Sequence, residues 1–112
     1  MSPITTHVLD TARGQPAAGL EITLEKKVDE AFVEIGKGQT NEDGRFPGLM
    51  KPGELEVAIY RITFQTGDWF KAQGIQGFYP FVPVIFEITA PEQHYHVPLL
   101  LSPFGFSTYR GS

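Results

Sequence analysis

His94 and His96 stand two residues apart in the run His94-Tyr95-His96-Val97-Pro98-Leu99-Leu100-Leu101. In a β-strand that spacing puts both rings on one side, opposite Tyr95 and Val97. If Val97 and Leu99 face a core, the histidines face outward. The third histidine, His7, lies in the β-like run Thr5-Thr6-His7-Val8-Leu9-Asp10 and also faces outward if Val8 is the core residue. Imidazoles titrate near neutral pH, so such a set can take a proton from water and return it. Two arginines could work beside them: Arg45 follows the Asp43-Gly44 turn, and Arg110 precedes Gly111-Ser112. A planar guanidinium fork suits a carbonyl or an anionic group, although an arginine after a turn is ordinarily a solvated charge. The stretch Phe106-Ser107-Thr108-Tyr109-Arg110-Gly111-Ser112 carries aromatics and an arginine where polar filler is usual. It is therefore expected to be placed and used.

Other chemistries fit less well. His-x-His occurs in metal sites, but His7 would have to be the third ligand and no carboxylate stands at matching spacing, so a metal centre is not expected. A Ser107, His96, Asp10 triad can be drawn, yet no Gly-x-Ser-x-Gly elbow supports it. The glycines are scattered, which leaves no phosphate-cradling loop. Without cysteine, thiolate chemistry and disulfides are impossible. A net charge of −4 and no run of Lys or Arg argue against nucleic acid or an anionic membrane as partner. The first seven residues lack the basic and apolar regions of a signal peptide, and no stretch approaches a membrane span, so a cytoplasmic protein is expected.

The elements that must position these residues read as strands. The 112 residues suit one domain, 1–112. Apolar residues alternate with period two, and turn residues recur every ten or so positions, the pattern of an all-β sandwich or barrel. Leu20, Ile22 and Leu24 mark one strand, and Phe32 to Ile35 a second across a hairpin at Lys26 to Glu30. Asn41 to Gly44 reads as a turn, with Asp43-Gly44 supplying positive φ. Leu55, Val57 and Ile59 hold odd positions but Ile62 and Phe64 even ones, so a bulge is expected at Tyr60-Arg61. Val82, Val84, Phe86 and Ile88 alternate around Pro83, which suggests an edge strand. Tyr95 to Leu101 and Phe104 to Tyr109 complete seven or eight strands. One short helix is expected around Thr66 to Gly74, capped by Thr66 or Asp68, with Gly74 left-handed at its end. Leu100 shares the outward face of His94, His96 and Pro98, so something must cover that face, and another copy of the chain is the expected cover.

Taken together, Thr6-His7-Val8-Leu9-Asp10, Asn41-Glu42-Asp43-Gly44-Arg45, Gly77-Phe78-Tyr79-Pro80, His94 to Leu100 and Ser107 to Ser112 span nearly the whole chain in order. They resemble the transthyretin family, and the Tyr-Arg-Gly-Ser ending resembles that of its 5-hydroxyisourate hydrolase branch. The resemblance implies an all-β, transthyretin-like sandwich of two four-stranded sheets with one short helix. It further implies a homotetramer with active sites between dimers, no cofactor, and hydrolysis of 5-hydroxyisourate to 2-oxo-4-hydroxy-4-carboxy-5-ureidoimidazoline in urate degradation. Carried over residue by residue, it gives His7, Arg45, His96 and Ser112 as catalytic, and Tyr109, Arg110 and Gly111 as shaping the substrate pocket. His94 belongs to the motif without a chemical role. Two rival functions remain open: a non-catalytic carrier of a small aromatic ligand, and a structural or interaction domain, since fold does not settle function.

Overall fold

The computed structural model describes residues 2–112. Eight strands form two four-stranded sheets: β1 (Ile4–Asp10), β2 (Gln15–Pro16), β3 (Glu21–Val28), β4 (Ala31–Gln39), β5 (Ala58–Phe64), β6 (Val82–Ile88), β7 (Tyr95–Ser102) and β8 (Gly105–Thr108). One sheet has the order β2-β1-β7-β8 and the other β4-β3-β5-β6. A single short helix, α1 (Thr66–Lys71), connects β5 to β6.

The period-two pattern decides which side of each strand is dry. Ile4, Val8, Tyr95, Val97, Leu99 and Leu101 point inward from one sheet and meet Ile22, Leu24, Tyr60, Ile62, Phe64, Val82 and Ile88 of the other. Each such aliphatic or aromatic side chain contributes roughly 1.5–3 kcal/mol by leaving water. Five polar residues among those described are buried, and the two on β1 are satisfied there. Thr6 donates to the Val97 carbonyl at 2.6 Å, and Asp10 accepts from the backbone N–H groups of Ala12 and Arg13 and from Arg13 Nε at 2.8 Å.

The pairing that matters most for function is the parallel one between β1 and β7. Its register sets Thr5 opposite His96 and His7 opposite Pro98, all on the outer face because their neighbours Thr6, Val8, Val97 and Leu99 are buried. Thus two segments about ninety positions apart present one shared surface, as the strand parity of each required.

Three local expectations are corrected. No bulge interrupts β5, whose register with β3 and β6 is continuous. Leu55 and Val57 precede the strand, so their parity never belonged to it. The irregularity falls instead in the β3–β4 pair, where Gly36 faces Leu24 and Glu34 faces Glu25, leaving Ile35 as the extra residue. The helix is capped by neither Thr66 nor Asp68: Gln65 is the N-cap, without a side-chain bond, and the Thr66 hydroxyl donates instead to the Tyr79 carbonyl at 3.4 Å. Gly74 does take positive φ, and Pro83 does sit on an edge strand. No helix among the described residues is long and apolar enough to cross a membrane.

Candidate active site

Arg45 reaches its place through a turn that only glycine completes. Gly44 has φ +77°, and a Cβ there would lie 2.4 Å from the Val8 carbonyl oxygen. Without that Cβ the turn lies flat on β1: Val8 N–H donates to the Gly44 carbonyl at 2.8 Å, and Arg45 bridges to His7. The Asn41 side chain accepts from the N–H groups of Asp43 and Arg45 and holds the turn from within.

The end of the chain is placed by a second bridge. Gly111 N–H donates to the His96 carbonyl at 2.8 Å. A Cβ on Gly111 would fall 2.6 Å from His96 Cδ2, so glycine lets the backbone lie against the imidazole. Upstream, Arg110 covers the Tyr95 ring at 4.1 Å and donates to Gln93 Oε1 at 3.0 Å. These contacts fasten the last residues along the start of β7.

Between the two bridges opens a cavity of about 570 Å³, lined among others by Thr5, Arg45, Phe46, His94, His96 and Ser112. Its size suits a small ligand. His96 is half-buried, with its Nδ1 2.9 Å from Thr5 Oγ1; the same oxygen lies 3.0 Å from His94 Nε2. The His96 pKa is held below its ordinary 6.5, first by burial and then by electrostatic repulsion from Arg45, His7 and His94, with a backbone hydrogen bond at Thr5 working the other way. A neutral imidazole beside a guanidinium combines a proton acceptor with a group that stabilises negative charge, the pair an acyl-transfer reaction with water requires.

The structure thus brings Arg45, His96 and Ser112 into one cavity. His7 adjoins it through its bridge to Arg45, on the same outer face as Thr5. Gly111 lies beneath the His96 ring. Tyr109 and Arg110 line a different hollow, of about 330 Å³, against β6 and β7. Thr5 is the residue that reading the sequence alone passed over. Its signal was its parity with His7, which placed it on the outward face, but only the β1–β7 register brings it to the histidine pair. Another hollow, of about 390 Å³ near Trp69, contains no histidine; its Arg13 is already committed to Asp10 and to the Trp69 ring.

One mixed and one antiparallel four-stranded sheet with one short helix, and a histidine-arginine cavity on an outer face, define a transthyretin-like β-sandwich. The chain belongs to the HIUase/Transthyretin family, whose model matches residues 4–111. It is 47% identical to the 5-hydroxyisourate hydrolase of Mus musculus over 113 residues, covering 99% of this chain and 96% of that protein. Among solved structures, sea bream transthyretin in complex with thyroxine is similar at a TM-score of 0.92 and 29% identity, covering 97% of this chain and 94% of the other. Klebsiella pneumoniae 5-hydroxyisourate hydrolase is similar at a TM-score of 0.85 and 32% identity, covering 97% and 98%.

Proposed function

We propose that this chain, acting as one domain over 1–112, hydrolyses 5-hydroxyisourate to 2-oxo-4-hydroxy-4-carboxy-5-ureidoimidazoline in urate degradation. The observation that carries the reading is the meeting of His96, Arg45 and Ser112 in one cavity of a chain this similar to named hydrolases. The His7/His96 pair takes a proton from water, and the resulting hydroxide attacks the ring carbonyl of the substrate. Arg45 holds the negative charge that develops on the carbonyl oxygen. When the carbon–nitrogen bond breaks, the histidine pair returns the proton to the leaving nitrogen, so the ring opens to a carboxylate. General acid–base work of this kind supplies about 10²–10⁴-fold, and a preorganised charge at the oxyanion about 10²–10³-fold. Ser112 orients a histidine or the substrate and Gly111 shapes the floor of the site, whereas Tyr109 and Arg110, which line the neighbouring hollow, act on it only by placing those last residues. No cofactor takes part.

The active form is a homotetramer, a dimer of dimers with the cavity facing its counterpart across the dimer–dimer interface, and it works in the cytoplasm. Support comes from the half-buried Leu100 beside His96 on an outer face that no part of the same chain fully covers. The test generates 5-hydroxyisourate in situ with urate oxidase and follows its decay spectroscopically, using His96→Ala as control. Accelerated decay with the wild type alone is expected. Decay at the spontaneous rate with a folded tetramer would overturn the hydrolase and favour a carrier of a small aromatic ligand, the reading that similarity to a thyroxine-bound transthyretin keeps in view.

A further inference from the structure

Thr5 holds one proton and two lone pairs on its hydroxyl, yet that single oxygen faces two imidazole nitrogens: His96 Nδ1 at 2.9 Å and His94 Nε2 at 3.0 Å. With both rings neutral, only two arrangements make both hydrogen bonds. In the first, His96 Nδ1–H donates to Oγ1, and Oγ1–H donates to His94 Nε2. In the second, His94 Nε2–H donates to Oγ1, and Oγ1–H donates to His96 Nδ1. The hydroxyl therefore ties the tautomers together: both rings carry their proton on Nδ1, or both carry it on Nε2. A change at exposed His94 must be answered at half-buried His96.

The two arrangements leave opposite chemistry at His96 Nε2, which has no hydrogen-bond partner among the described residues. The first gives it a lone pair; the second gives it an N–H. Arg45 lines the same cavity and repels positive charge on the His96 ring. A lone pair directed into a cavity that holds a guanidinium is favoured over an N–H dipole of the same sign. The register fixes the contact, because Thr5 and His96 are directly paired across β1 and β7. β-branched threonine is also stiff about χ1, so its hydroxyl stays where the two rings meet it.

We propose that Thr5 is a positioning residue that, together with His94, holds His96 in the Nδ1–H tautomer, so that Nε2 carries the lone pair facing the cavity. This deepens the hydrolase reading and rests on it for the use made of that lone pair: Nε2 of His96 receives the proton of the attacking water. The tautomer itself does not depend on which reaction the cavity performs. His94 thereby gains a part without touching substrate, as the far end of the chain His96 Nδ1–H, Thr5 Oγ1–H, His94 Nε2.

The test uses the full chain labelled with ¹⁵N histidine, at a pH of about 8, above the reference imidazole value of about 6.5. Long-range ¹⁵N–¹H spectra report which nitrogen of each ring is protonated. Wild type is expected to show His96 as Nδ1–H. In Thr5→Val, close in shape and equally suited to a strand, His96 should move toward Nε2–H while kcat for 5-hydroxyisourate falls about 10–100-fold with little change in KM. Thr5→Ser restores the hydroxyl and should recover the tautomer and most of the turnover. An Nε2–H tautomer at His96 in the wild type, or an unchanged spectrum in folded Thr5→Val, would overturn the proposal. If wild type fails to hydrolyse 5-hydroxyisourate, the function falls, and the spectra still decide whether Thr5 sets the tautomer.

Discussion

At His96, burial and three basic neighbours act in the same direction. Burial disfavours the charged ring, and Arg45, His7 and His94 repel it, so its pKa lies below the ordinary 6.5. The proton-accepting form therefore persists into mildly acidic solution, and the acid limb of kcat/KM should fall below pH 6.5. The linkage to stability has a definite sign. The folded chain binds this proton less readily than the unfolded chain, so His96's contribution is present above 6.5 and is lost as pH falls toward its folded pKa. Removing one positive neighbour should reverse part of the shift: Arg45→Ala is expected to raise the His96 pKa in an NMR titration of the ring protons. The same substitution should lower turnover about 10²–10³-fold with the assembly intact. Normal turnover in a well-folded Arg45→Ala protein would remove Arg45 from the reaction. At this scale residue type alone marked His7, Arg45 and His96 only as groups able to carry such chemistry, and it was the resemblance that singled them out with Ser112; what the structure adds is that Arg45, His96 and Ser112 line one cavity. Thr5 was not legible, because a threonine on a strand's outer face looks like any other until its partner across the sheet is known.

Among the elements, two glycines do different work, and the difference can be measured. Gly44 combines positive φ with a contact to the Val8 carbonyl oxygen that leaves no room for Cβ, so Gly44→Ala strains the turn and separates it from β1. Strain of this kind costs about 1–3 kcal/mol, and a lowered Tm is expected. Gly111 has no positive φ; its missing side chain makes room only for the His96 ring. Gly111→Ala should therefore leave Tm nearly unchanged while reducing kcat, as the ring or the last residues shift. Equal losses of Tm in both variants would mean that the chain end supports the fold rather than the site. The strands themselves were readable because burial on one face imposes a period of two, and the Asp43-Gly44 turn because few residues accept positive φ. The bulge was misplaced because parity was followed through Leu55 and Val57, a buried and an exposed residue of the connection before β5. The helix cap was misjudged because the Thr66 hydroxyl finds the Tyr79 carbonyl, a partner distant in sequence.

For the whole molecule, the open question is what covers the outer face of the β2-β1-β7-β8 sheet. Leu9 and Leu100 are paired across β1 and β7 on that face, in line with His7, His96 and Pro98. An apolar pair on the same face as the candidate cavity is best covered by the same face of another copy, which would also remove water from around Arg45 and His96. A second set of contacts is available at the sheet edges. Strands β6 and β8 end their respective sheets and carry the exposed Ile85 and Phe106, so copies meeting along these edges would form the dimer and the outer faces would join two dimers. The two interfaces predict different failures. Leu100→Glu places a charge on the outer face, on the opposite side of the sheet from Phe106, which is paired with Leu101. It should split the proposed tetramer into dimers in sedimentation, leave far-UV circular dichroism unchanged, and lower turnover by opening the cavity to water. Activity should return with rising protein concentration if weakened tetramers reform. A Leu100→Glu tetramer of wild-type stability would show that this face is not the one the assembly covers, and the edge strands would then have to account for all of it.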